Sequence, residues 1–251
     1  RYEGPDGSMH PARQVDVQIR KVTASGLPNP VIATTTTDDS GDYEISLDVA
    51  ANENSPNDDR LQVRVQALAS SPAVEVLGFS NNFQGGSGRI YHVSTRGQIT
   101  VGQASASYDL DATGPDTRRA FQVTQWALEA REFNEAEVGF TRRQADANLN
   151  ASLYGDRYLA HIDKIKLSTD DWDATKNFTV YHEYGHGVQD ALWDYELWEP
   201  PKLDTWLHNQ EDQWFPCHAA PSETSELYAW YEGFPAFFEA AVNDDPRTDN
   251  K

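Results

Sequence analysis

The hydrophobic residues of this chain recur with a period of two from about residue 13 to about residue 110 and with a longer, helical period after it. This change constrains the fold more than any other feature. Val15, Val17 and Ile19 alternate with Asp16, Gln18 and Arg20; Tyr43, Ile45, Leu47 and Val49 alternate with Glu44, Ser46 and Asp48; Leu61, Val63, Val65 and Ala67 alternate with Gln62, Arg64 and Gln66. Each is the pattern of a half-buried strand, because successive strand side chains point to opposite faces. Further strand-like runs cover Val31 to Thr37, Val74 to Phe79, Arg89 to Thr95 and Gln98 to Ala104. Turn clusters separate them, among them Leu27-Pro28-Asn29-Pro30, Asp38-Asp39-Ser40-Gly41 and Gln84-Gly85-Gly86-Ser87-Gly88. Roughly seven short strands at this spacing predict an antiparallel β-sandwich.

Asp109 to Asp116 is rich in turn residues and ends the alternation, which puts an expected boundary between residues 1–112 and 113–251. Beyond it Val123, Trp126, Ala127, Ala130 and Phe133 share one face of a helix expected from about Asp116 to Val138, with Gly139 as its C-cap. Tyr158 to Leu167 has strand character, and Asp170 to Asp173 is an acidic region suited to capping the next helix. The stretch Thr36-Thr37-Asp38-Asp39-Ser40-Gly41-Asp42-Tyr43-Glu44-Ile45 resembles a turn of transthyretin-like, carboxypeptidase-regulatory-like sandwiches. That resemblance implies that the first domain is an extracellular accessory module without chemistry of its own. The expected class is therefore α+β in two domains: an N-terminal antiparallel β-sandwich, then a mainly helical zincin-like domain.

Charge narrows the partners. The 251 residues carry 40 acidic and 20 Lys or Arg side chains, a net charge of −20. Such a field repels nucleic acid and anionic lipid and favours cations. An acidic, Lys-poor surface suits an extracellular, cell-surface or high-salt protein. Cys217 is the single cysteine, so packing, with or without a metal, and not internal disulfides must hold the fold. Every apolar run is broken within a few residues by charge, Gly or Pro, so no membrane span is expected. Asn150-Ala151-Ser152 and Asn177-Phe178-Thr179 fit the N-glycosylation triplet.

The chemistry concentrates in Val180-Tyr181-His182-Glu183-Tyr184-Gly185-His186-Gly187. In a helix, positions i and i+4 project from one face, so His182 and His186 can converge on one cation. Glu183 is turned about 100° from His182, beside the metal and not on it, where a carboxylate can take a proton from an activated water. Catalytic zinc needs a third protein ligand and an open position. Gln189 and Leu192 stand where the metzincin pattern has Gly and His, which excludes that class. The remaining source is a carboxylate on a second helix, and the helix-like segment Ser225 to Glu239 offers Glu226, Glu232 and Glu239.

His182-Glu183-Tyr184-Gly185-His186 together with Glu232-Gly233-Phe234 is similar to the paired motifs of the gluzincin metallopeptidases. The resemblance implies zinc held by His182, His186 and Glu232, with Glu183 as general base in peptide-bond hydrolysis. Glu226 and Glu239 compete with Glu232 for the third position, Glu239 lying about two turns beyond it; their alternative is as solvated carboxylates or ones just outside the ligand set. The pattern departs from the family at Ala236, where an acid usually orients the first histidine, and at Pro235 just before it. Gluzincins also supply a Tyr or His to the oxyanion, for which Tyr228, Tyr231, His208 and His218 are the candidates. The segment from about Asp194 to Thr224, with Trp198, Trp206 and Trp214, is expected to wall the cleft. Little sequence follows Glu232, so further chain or a partner is expected to complete that cleft.

Two functions remain open on the sequence. One is a zinc metalloendopeptidase acting on peptide or protein substrates. The other is a non-catalytic extracellular structural or adhesive subunit that keeps zinc in a degenerate peptidase fold and self-assembles through strand edges. Pro235 and Ala236 favour the second and the intact Glu183 the first.

Overall fold

Two compact units emerge from the computed structural model: one from Arg1–Pro72 with Arg89–Gln125, the other from Ala73–Gly88 with Trp126–Lys251. The structure describes residues 1–22, 30–47, 60–78, 89–100, 105–149, 156–159, 163–168, 176–193 and 226–244.

In the first unit β1 (Tyr2–Glu3) and β2 (Met9–His10) form a small ribbon. β3 (Asp16–Lys21), β4 (Val31–Thr36), β5 (Arg60–Leu68) and β7 (His92–Thr100) form one antiparallel sheet in the order β4-β3-β5-β7. Val17 faces Ala67 and Ile19 faces Val65 in its register, so the odd positions of β3 and β5 share a face. That face is the core, with Val15, Val17, Val63 and Val65 fully buried. Each such side chain stabilises the fold by about 1.5–3 kcal/mol. The helix α1 (Pro115–Phe133) brings Ala120, Phe121 and Val123 to the unit's interior. The Gln125 side-chain amide donates to the Arg13 carbonyl and accepts from the Arg13 N–H, both at 3.0 Å.

In the second unit β6 (Val74–Leu77), β8 (Ala145–Leu149), β9 (Arg157–Leu159) and β10 (Lys164–Leu167) form a mixed sheet in the order β6-β8-β10-β9. β6 and β10 run parallel to β8, and β9 is the antiparallel edge. Asp163, at a φ of 48°, makes the turn into β10. A π-helical turn, Asn134–Val138, ends α1's run, and Gly139 closes it at a φ of 72° with its N–H on the Asn134 carbonyl, the expected C-cap. The helices α2 (Lys176–Leu192) and α3 (Glu226–Val242) pack against each other. No helix among the described residues is long and apolar enough to cross a membrane.

The expected fold class is corrected on both counts. The described strands of the first unit form a single four-stranded sheet and a ribbon, not a sandwich. The second unit carries its own four-stranded sheet and is not mainly helical. Alternation reports which face of a strand is buried, not which sheet it joins. Hence Val74–Leu77, expected in the sandwich, pairs with β8 in the other unit. Tyr43–Leu47 alternates as a strand would, yet it is irregular, with the Tyr43 hydroxyl donating to the Tyr108 carbonyl at 2.8 Å. Parts of two expected runs, His92–Thr95 and Gln98–Thr100, are joined into β7, where a side chain at Gly97 would collide with the Tyr108 ring. β8 was illegible because two of its three buried positions are Ala145 and Ala147, and alanine is a poor strand former.

Candidate metal centre

α2 is a helix buried almost all round. Val180, Tyr184, Val188 and Ala191 fall on one stripe at helical spacing and are 6% exposed or less. The informative feature is that Glu183, His186, Gln189 and Asp190 are buried as well. Polar groups are placed so only when something satisfies them.

α3 lies against this helix at unusually short range. A Cβ on Gly185 would sit 3.0 Å from the Pro235 Cα and 3.3 Å from the Phe238 Cβ. Real Cβ atoms rarely approach this closely, so a glycine is what lets the two backbones meet. Pro235 is inside the helix, and its ring-bearing segment is buried at the crossing. The contact brings the carboxylates of α3 to the histidines of α2.

His182, His186 and Glu232 come together as expected, with one donor atom from each lying within 4.8 Å of the others. The Glu232 Oε2 is 3.3 Å from the His182 Nε2 and 3.5 Å from the His186 Nε2. Zinc bonded tetrahedrally at 2.0–2.1 Å requires donor–donor separations of about 3.3 Å, which both Glu232–histidine separations approach. The donor set, two imidazoles and a carboxylate, is one that zinc takes. The residues present therefore fit the ion.

Glu183 is 6% exposed, and its Oε2 has no hydrogen-bond partner among the described residues. Burial raises its carboxyl to about 8, with Glu232 and Asp156 adding to the rise and His182 and the Tyr158 backbone opposing it. Burial acts to lower the His182 imidazolium, but hydrogen bonds to Glu232 and Glu239 outweigh it and hold it up to about 10. For Glu232, burial acts upward and the two histidines more strongly downward, so its carboxyl falls well below the usual range.

A second polar cluster stands behind His186. Arg142, which has no exposed surface, pairs with Asp163 and lies over the Tyr158 and Tyr184 rings, 5.6 and 4.9 Å from their centroids. The Tyr158 hydroxyl reaches Asp163 at 2.8 Å and Asp190, one turn beyond His186, at 3.2 Å. Its ring is nearly parallel to the His186 imidazole, at 8° and 6.4 Å between centroids. A side chain at Gly187 would collide with the Arg142 guanidinium. This cluster ties α2 to the sheet on one side while α3 holds it on the other.

Of the oxyanion candidates, Tyr231 packs on the His186 ring at 4.4 Å. The Tyr228 side chain and His208 and His218 lie outside the described residues, as do His161, Cys217, the Glu226 side chain, the glycosylation triplet at Asn150, the acidic region Asp170 to Asp173 and the tryptophan-bearing segment 194–224. Asn177 of the second triplet bonds to Asn243 at 3.0 Å. Residue-by-residue reading missed Arg142, Tyr158 and Asp163. The available signal was the pair of glycines inside a helix, since each costs about 1 kcal/mol relative to Ala unless something approaches closely.

No family model and no curated protein matches the chain.

Proposed function

We propose that this protein is a zinc-dependent peptidase of the gluzincin kind, with His182, His186 and Glu232 as ligands and Glu183 as general base. One observation carries the reading: a converging triad of two histidines and a glutamate on two helices stands beside a buried carboxylate whose second oxygen is unpartnered among the described residues. Zinc bound there supplies Lewis acidity towards a water and a peptide carbonyl. Glu183 accepts a proton from the attacking water and returns it to the leaving amine. Glu232 contributes the negative charge that offsets the cation. Tyr231, which packs on the His186 ring, is the described candidate to meet a substrate's carbonyl oxygen. The acidic chain, with its net charge of −20, gives the substrate no reason to be nucleic acid.

The decisive variant is Glu183→Gln, which keeps the shape and removes the proton acceptor. Cleavage of unstructured peptides should fall by about 10²–10⁴-fold while bound zinc stays at the wild-type level. If zinc-loaded wild-type protein cleaves a broad peptide library no faster than Glu183→Gln, the peptidase reading fails, and a structural subunit that keeps its metal takes its place.

A further inference from the structure

Ala236 lies one turn past Glu232, where the resembled motif has an acid, so the first histidine lacks its usual orienting carboxylate. A different residue meets that nitrogen. Glu239, nearly two turns past Glu232 on α3, brings its Oε2 to 3.4 Å from the His182 Nδ1. On the opposite edge of the same ring the Nε2 faces Glu232 at 3.3 Å. Both nitrogens of one imidazole are therefore met by carboxylates of a single helix.

We infer that Glu239 is the positioning residue for His182, accepting the Nδ1–H so that the Nε2 lone pair is presented to the metal. The inference rests on the zinc reading above and extends it to a residue that the motif does not contain. An imidazole ligates through one nitrogen only when the proton sits on the other, and a carboxylate on that N–H fixes both tautomer and ring orientation. Glu239 is 8% exposed, and a carboxylate so placed requires a charge-assisted donor, which the Nδ1–H provides. It is not a fourth ligand: it faces the nitrogen turned away from Glu232, outside the converging triad. The close α2–α3 contact at Gly185 and Pro235 is what allows a carboxylate this far along the helix to reach. The small Ala236 leaves the space between the two glutamates without a competing acid.

The test uses the full chain and zinc itself, with affinity measured by chelator competition. Glu239→Gln should weaken zinc binding by about 10–100-fold, and Glu239→Ala likewise. Ala236→Asp should restore most of the loss in the Glu239→Ala background and change little in the wild type. A second readout needs no variant: long-range 15N–1H NMR of the zinc-loaded wild-type protein should show His182 protonated on Nδ1. Protonation on Nε2 overturns the inference. So does a Glu239→Gln protein that binds zinc as the wild type does while His182→Ala and Glu232→Ala do not. If His182→Ala and Glu232→Ala also bind zinc normally, the metal reading itself is wrong and the inference goes with it.

Discussion

Gly185 and Gly233 stand on the two helices of the site, and the structure assigns alanine opposite effects at them. At Gly185 a Cβ would meet the Pro235 Cα at 3.0 Å and the Phe238 side chain at 3.3 Å. Carbon atoms rest at about 3.5–4.0 Å, so α2 and α3 would have to separate by about half an ångström or more. Overpacking of this kind costs about 1–3 kcal/mol. At Gly233, on α3, no described atom lies within 4 Å of the added carbon. Both substitutions gain the same helix-propensity term, about 0.8–1.0 kcal/mol. Gly233→Ala should therefore stabilise by about 1 kcal/mol, whereas Gly185→Ala should be neutral or destabilising by up to about 2 kcal/mol. The difference between the two, about 1–3 kcal/mol, isolates the steric term because propensity cancels. Urea unfolding of the metal-free proteins, followed by circular dichroism and tryptophan fluorescence, measures it. Zinc affinity provides the functional readout, since separating the helices lengthens the Glu232 contacts with both histidines: it should fall for Gly185→Ala and hold for Gly233→Ala. Equal stabilisation by both variants, with equal zinc affinity, would refute the close crossing and with it the argument for how α3 delivers its carboxylates.

Two further outcomes follow from the cluster behind His186. Arg142→Met should lower stability by about 1–3 kcal/mol in urea unfolding, because it removes the buried partner of one Asp163 oxygen and leaves that carboxylate to the Tyr158 hydroxyl and the more exposed Arg143; a variant as stable as the wild type would show that the pair is not formed. Burial raises the Tyr158 and Tyr184 phenols above their ordinary 10.0, so both stay protonated in the folded chain. A group whose folded pKa is raised gives stability that is whole below its unfolded pKa and lost as pH rises towards the folded one. Above about pH 10 the protein should lose stability, and these two tyrosinates should appear by ultraviolet absorbance only as it unfolds; ionisation of every tyrosine before unfolding would contradict the burial.

Local periodicity made some of this molecule legible and left the rest out of reach for a physical reason. The pairing of His182 with His186 was readable because both lie one turn apart on one helix, a distance that the backbone itself sets. Glu232 was readable through a short motif, although nothing local says that α3 lies on α2. Glu239 could be seen only as one acid among several, since its approach to the His182 Nδ1 depends on the crossing at Gly185 and Pro235. The same limit governs the sheets. Val74 and Val76 announce a buried strand, and the alternation says nothing of whether its partner is β5 or, as found, the weakly patterned β8. Pro235 shows the limit from the other side. In the sequence it counts against a catalytic helix, because it deletes a backbone hydrogen bond. In the fold it is buried opposite Gly185, where an added Cβ would lie 3.0 Å from its Cα. Its cost to one helix is thus tied to the close approach that lets both Glu232 and Glu239 reach a single imidazole.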